Sequence, residues 1–78
     1  MKVSRLTTKE LEVMFEVTKM TVNNWRIGSP RITPLPYHTL KRGSRFKIYF
    51  KATEVTKWAA KHNILVVVSL GKILEKRL

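Results

Sequence analysis

All three prolines of the chain, Pro30, Pro34 and Pro36, fall between Ile27 and Tyr37, with Gly28 at the head of the same stretch. Proline lacks a backbone N–H, fixes φ, and drives the residue before it out of the helical region. No regular helix can cross this segment, so Gly28–Pro36 is expected as an ordered, extended loop. Ile32 and Leu35 are its inward anchors, and Arg31 is left free to meet an anion. The loop separates a helix-patterned first third from a strand-patterned stretch that follows it.

Upstream, Met1–Leu6 is expected to be extended, with Val3 and Leu6 fastening it to a core. Thr7 and Glu10 have the spacing of a capping box. Leu11, Met14 and Phe15 then make one apolar stripe at helical spacing, which predicts a first helix over Thr7–Phe15. Glu10, Glu12 and Glu16 face away from the stripe. After a tight turn at Glu16-Val17, Thr18 is the expected N-cap of a second helix, Thr18–Arg26, which Gly28 ends. Val22 and Trp25 share its inner face, with Val17 beside them. Lys19, Met20, Thr21, Asn23, Asn24 and Arg26 are left outward. That short face is basic and rich in amide and hydroxyl groups. Asn can pair bidentately with adenine, Arg with guanine, and Thr can reach a base edge or a phosphate. Taken alone, the same face would equally suit a solvated surface helix.

Downstream, Tyr37–Phe50 has the pattern of a β-hairpin turning near Arg42-Gly43-Ser44, where Gly43 supplies the positive φ. Phe46, Ile48 and Phe50 alternate with Lys47, Tyr49 and Lys51, which predicts one apolar and one basic-aromatic face. Thr53–Asn63 is expected as a third helix with Val55, Trp58, Ala59 and His62 on its apolar stripe. Trp58 is expected to sit at the core centre with Trp25 and Phe15, and Asn63 to close the helix. Ile64–Leu70 is apolar and β-branched, so a strand or an exposed edge for self-association is expected there. Gly71 is then expected to break the chain before a short basic helix over Lys72–Leu78. The expected division is therefore 1–63 as the folded domain and 64–78 as an apolar and basic tail.

Charge narrows the function. Sixteen Lys and Arg against five acidic residues give a net charge of +11. No acid occurs from Lys19 to Lys51, where Lys19, Arg26, Arg31, Lys41, Arg42, Arg45, Lys47 and Lys51 all lie. A one-signed field over one contiguous part of the chain is what a polyanion-binding surface requires. Solubility alone does not require excluding acids from that window. An acidic membrane surface and an acidic protein remain alternative partners. With no cysteine, no disulfide or thiolate metal site is available. The apolar run Ile64–Leu70 is about a third of the length that spans a bilayer. His62 falls on an apolar stripe, as a packed, hydrogen-bonded histidine would. His38 falls in the loop with no carboxylate partner in prospect. The five acids form no catalytic pair, and no nucleophile–base set, phosphate-cradling glycine loop or zinc spacing is present. No enzyme, metal or cofactor is expected.

The order helix, tight turn, TVNNW helix, proline loop, basic hairpin and EVTKW helix resembles the MerR-like winged helix-turn-helix domain of phage excisionases and phage terminase small subunits. The carriers are Leu6-Thr7 with Glu10-Leu11, Val17 and Thr21-Val22 with Trp25-Arg26, Arg42–Phe50, and Val55 with Trp58. The resemblance spans roughly Leu6–Asn63. It departs from the family in a longer, proline-richer loop at Ser29–His38, and in lacking a long coiled coil after the third helix. It implies an α+β fold, a small winged helix-turn-helix of three short helices and a hairpin wing, with an extended or short helical tail. It implies double-stranded DNA as partner: Lys19, Thr21, Asn23, Asn24 and Arg26 in the major groove, and Arg31, Lys41, Arg42, Ser44, Arg45 and Lys47 on backbone or minor groove.

The function expected on this basis is that of an excisionase. Such a protein binds specific duplex sites cooperatively, self-associates through Ile64–Leu78, and bends DNA for a site-specific recombinase. A transcriptional repressor or a terminase DNA-recognition module is the alternative within DNA binding, and a basic RNA-binding protein the alternative outside it. The expected location is the cytoplasm, on the nucleoid of a bacterial or phage-infected cell, away from membranes.

Overall fold

The computed structural model describes residues 5–75. The first two helices begin where a threonine hydroxyl can take up an orphan N–H. In α1 (Thr8–Phe15), the Glu10 N–H donates to Thr7 Oγ1 at 3.1 Å and the Thr7 N–H donates to Glu10 Oε1 at 2.9 Å. This is the reciprocal capping box. The helix stops because Glu16 turns left-handed, at φ 52°. The Val17 N–H then reaches the Glu12 carbonyl at 3.0 Å and the Glu16 N–H the Val13 carbonyl at 3.3 Å, the paired bonds of a Schellman motif. A glutamate in this conformation is strained, and the turn it makes keeps the connection short. Only Glu16, Val17 and Thr18 separate α1 from α2 (Lys19–Ile27), whose Thr18 cap accepts from the Thr21 N–H at 3.3 Å.

Gly28 ends α2 at φ 84°, and a Cβ there would lie 2.8 Å from Pro34 Cγ. Glycine is thus needed for its conformation and for the close approach of the loop. The loop folds back on the helices: the Leu35 N–H donates to the Trp25 carbonyl at 2.8 Å, and Trp58 Nε1 donates to the Thr33 carbonyl at 2.8 Å. Leu35 is buried and Ile32 packs on the core, as expected.

Three antiparallel strands follow the order β1-β3-β2, with β1 at Arg5–Leu6, β2 at His38–Arg42 and β3 at Arg45–Lys51. The hairpin β2–β3 turns through Gly43-Ser44, with Gly43 at φ 60°. Glycine at the first central position suits a two-residue type II′ turn. The short β1 adds a strand to the expected hairpin: Leu6 pairs with Phe50, and both are buried. The expected anchor Val3 lies outside the described residues. The expected apolar face of β3 is only partly used. Phe50 is buried and Ile48 half-buried, but Phe46 is 66% exposed, because the hairpin extends past the edge of the core.

Helix α3 (Ala52–Lys61) follows β3 directly, a residue earlier than its pattern predicts. Asn63 closes it at φ 55°, with Ile64 N–H to the Ala59 carbonyl at 2.9 Å and Asn63 N–H to the Ala60 carbonyl at 3.3 Å. Val55, Trp58 and Ala59 are buried. His62 is half-buried; its ring packs 5.4 Å from that of Trp58, and its Nε2 lies 2.8 Å from Thr33 Oγ1.

The segment after Asn63 departs most from expectation. Ile64–Leu70 forms no strand. The Val67 and Val68 N–H groups both donate to the Met14 carbonyl, at 2.9 and 3.0 Å. The last carbonyls of a helix have no partner within it, and this one takes the donors that a ladder would have used. Nor does Gly71 break the chain: it lies within a fourth helix, α4 (Leu70–Glu75), where Ser69 Oγ accepts from the Lys72 N–H at 3.4 Å. Residues 76–78 of the expected tail helix lie outside the described residues. Ile73 is 3% exposed and belongs to the same core as Leu11, Met14 and Phe50, so the segment expected as a tail contributes to the packing of the rest.

Among the described residues the architecture is a small α+β domain of four helices and a three-stranded antiparallel sheet, with its core between the helices and the inner sheet face. Among the described residues, no helix is long and apolar enough to cross a membrane. Because Ile73 sits in that core, Ile73→Ala is expected to cost about 2–5 kcal/mol in denaturant unfolding. A loss near zero would mean that α4 does not pack as described.

Candidate nucleic-acid interface

Helix α2 turns Val22 fully into the core and Trp25 partly so. The Trp25 ring lies edge-on to Phe15, centroids 5.4 Å apart, and 5.2 Å from Trp58. This fixes the rotation of the helix and therefore what it presents to solvent. Met20, Asn24 and Ile27 form one exposed row, with Met20 73% and Ile27 77% exposed. Lys19 opens the neighbouring row, which continues through Asn23 and Arg26.

Not all of the expected site residues point outward. Asn23, Arg26 and Thr21 are half-buried. The Thr21 hydroxyl lies 3.2 Å from Thr18 Oγ1 and is drawn into the cap. Arg26 donates through Nη2 to Asn23 Oδ1 at 3.2 Å, and its Cζ stands 5.0 Å from the centre of the Tyr37 ring. Its Nε is buried without a partner. The guanidinium is thus held between an amide and an aromatic face, instead of reaching freely into solvent. Tyr37 arrives there because the prolines bring the chain back past the end of α2. Lys19 and Asn24 are exposed, as expected.

The second set of site residues gathers at the end of the hairpin. Lys41, Arg42, Ser44, Arg45 and Lys47 are all exposed. In the register Arg42 faces Arg45, Lys41 faces Phe46 and Leu40 faces Lys47. Opposed residues share a sheet face, so Arg42, Arg45 and Lys47 stand on the outer face and Lys41 on the inner. Like charges directly opposite destabilise a strand pair, yet no acid lies near in sequence to relieve them. Arg31 is exposed in the loop and belongs to neither cluster.

Further down the outer face, Arg5 Cζ stands 4.7 Å from the Tyr49 ring centre, and His38 stacks on Tyr49 at 5.4 Å and 21°. His38 is not a loop residue without a carboxylate: it opens β2, and its Nε2 lies 2.7 Å from Glu54 Oε1 on α3. The alternation of β3 placed Tyr49 with Lys47 and Lys51 on the basic-aromatic face; what sequence reasoning missed is that Arg5 and His38 meet the Tyr49 ring and that Tyr37 meets Arg26. An open groove of about 390 Å³, lined by Asn24, Trp25, Ile27, Gly28, Ser29 and Ile32, adjoins the C-terminal end of α2. Among the described residues, no three His, Asp or Glu side chains converge as metal ligands would.

Compared with known proteins, the chain matches no family model, no curated protein and no solved structure.

The Arg26–Tyr37 contact is expected to contribute about 0.5–2 kcal/mol, the range from exposed to desolvated cation–π pairs. A double-mutant cycle of Arg26→Ala and Tyr37→Ala in thermal unfolding measures it. Additive losses would mean that ring and guanidinium do not interact.

Proposed function

We propose that the protein binds double-stranded DNA as a winged helix-turn-helix, with α2 in the major groove and the hairpin as the wing. The observation that carries this reading is the hairpin end, where Arg42 faces Arg45 with Lys41 and Lys47 alongside and no acidic neighbour. Such an arrangement works against the isolated fold and in favour of a bound polyanion. The three-residue connection from α1 to α2 is the length that a helix-turn-helix uses. The second helix of that unit is the one that enters the groove.

Each residue then has a distinct task. Asn24 is exposed, and its amide is suited to adenine. Lys19, at the start of α2, meets phosphate. Asn23 and Arg26 act together, because the Asn23 oxygen that would accept from adenine already accepts from Arg26. Thr21 secures the cap that aims the helix. Arg42, Arg45 and Lys47, with Ser44 at the turn, lie along the backbone or enter the adjacent minor groove, where arginine meets the deepest negative potential. Arg31 adds a phosphate contact from the loop. Within DNA binding, the resemblance of the TVNNW helix and basic hairpin supports an excisionase-type role, with a site-specific recombinase as partner. The exposed Leu65, 82% accessible, and Val67 leave apolar surface for a neighbouring copy. A second reading, single-stranded RNA binding, is favoured by the exposure of Phe46 and Tyr37, since aromatic rings stack on unpaired bases.

Gel-shift titration with duplexes selected from a random pool, at two salt concentrations and against single-stranded RNA competitor, tests the reading. A selected motif that resists the RNA supports it, and no selected motif overturns it. Asn24→Ala is expected to weaken cognate binding by about 1–3 kcal/mol and to relax preference at one base pair. An equal loss on every sequence would make Asn24 a backbone contact. Arg45→Ala is expected to weaken binding to all duplexes alike and to lower the salt slope by about 1. An unchanged slope would remove Arg45 from the phosphate contacts.

A further inference from the structure

Strand β3 alternates, so Phe46, Ile48 and Phe50 share its inner face. Their burial falls steadily toward the turn: Phe50 is 0% exposed, Ile48 half-buried and Phe46 66% exposed. The core ends at Ile48, and Phe46 forgoes the burial that an aromatic ring normally gains. No apolar side chain covers it from across the strand pair. Its opposite neighbour is Lys41, whose Nζ stands 5.8 Å from the ring centre. The next pair toward the turn is Arg42 and Arg45, and the next pair back is Leu40 and Lys47. One large apolar ring therefore stands beside Lys41 on the inner face, with Arg42, Arg45 and Lys47 on the outer face of the same hairpin end, one strand pair from a two-residue turn that can enter a narrow groove.

The partner that fits must be apolar where it meets the ring and anionic on both sides. A base step of duplex DNA, lying between two rows of phosphates, has that chemistry. We infer that Phe46 is a wedge. It enters the minor groove at the hairpin end and inserts between two base pairs, partly unstacking them and kinking the duplex toward the major groove. Lys41, Arg42, Arg45 and Lys47 hold the flanking phosphates while the ring is inserted. Pyrimidine–purine steps unstack most readily and are the expected point of entry. The inference rests on the duplex-binding reading, and it adds a residue and a deformation to it.

The test uses the full chain and a selected duplex carrying 2-aminopurine at successive positions, with end-to-end energy transfer to report bending. Wild-type protein is expected to raise 2-aminopurine fluorescence several-fold at one step and to shorten the end-to-end distance. Phe46→Leu, which keeps an apolar wedge, is expected to retain both signals. Phe46→Ala is expected to lose both while keeping its melting temperature, since the ring is not in the core. No unstacking at any position with wild-type protein would overturn the wedge, as would an unchanged bend with Phe46→Ala. In either case the duplex reading stands if the selected duplex is still preferred. If wild-type protein fails to prefer the selected duplex, the reading of α2 falls instead. Capture by phosphatidylserine vesicles that is lost in Phe46→Ala, with no unstacking of duplex, would overturn the wedge in favour of a lipid surface.

Discussion

The rings of Phe15, Trp25 and Trp58 meet in sequence, one from each of the first three helices, with centroids 5.4 and 5.2 Å apart. Most of the structure is positioned by this contact. Phe15 closes α1 one residue before its left-handed exit, so its ring sets where the turn to α2 begins. Trp25 fixes the rotation of α2. Trp58 also carries a donor, and its indole N–H holds the Thr33 carbonyl. A domain of this size has a thin core and little burial to spare. Aromatic rings bury the most area per residue and have defined packing geometry, so three of them can fix three helices where small aliphatic side chains could not.

Against this small core stands a net charge of +11. Self-repulsion of that size works against a compact state, and the fold moderates it locally. The Tyr49 ring lies 4.7 Å from the Arg5 guanidinium, and the Tyr37 ring lies 5.0 Å from that of Arg26. At the hairpin end Lys41 meets the Phe46 ring at 5.8 Å, but Arg42 and Arg45 face each other directly. The cations there project beyond the core into solvent, where water and salt screen them. Near the core, the guanidinium groups of Arg5 and Arg26 each meet an aromatic face, whereas Arg42, Arg45 and Lys47 are exposed where the core has ended.

The features legible in the sequence are those settled over a few residues. Thr7 with Glu10, Thr18, Gly43 and Asn63 each fix a cap or a turn by a local bond or a local φ, and each does so in the structure. The apolar stripes of α1 and α3 were equally readable. What was not readable depends on partners distant in sequence. Ile64–Leu70 has the composition of a strand, but its donors go to the Met14 carbonyl, a group that nothing in ILVVVSL announces. His38 finds Glu54 sixteen positions on because α3 starts directly after β3. Phe46 reads as core from alternation, yet alternation gives the face of a strand and not the point at which the core stops. At the candidate site, the identity and exposure of Lys19, Asn24, Arg42 and Arg45 were legible. The inward set of Arg26 was not, because Tyr37 reaches it only through the path of the proline loop.

That path makes the two candidate surfaces one mechanical unit. Pro34 lies against Gly28, Leu35 is bonded to the Trp25 carbonyl, Tyr37 stands over Arg26, and His38 then opens β2. Within a few residues the chain thus passes from the end of α2 to the base of the hairpin, and Leu35 and Tyr37 each contact α2 on the way. Proline restricts the unfolded chain, so less conformational entropy is lost when such a connection is ordered. A flexible loop of equal length would let helix and hairpin settle at many relative angles, and a rigid ligand would have to select one. Here the contacts of Pro34, Leu35 and Tyr37 with the end of α2 restrict that angle. For Arg26 to reach outward it must leave both Asn23 and the Tyr37 ring, and Tyr37 is the residue that leads into the hairpin. Tyr37 thus ties the end of α2 to the entry of the hairpin through its contact with Arg26.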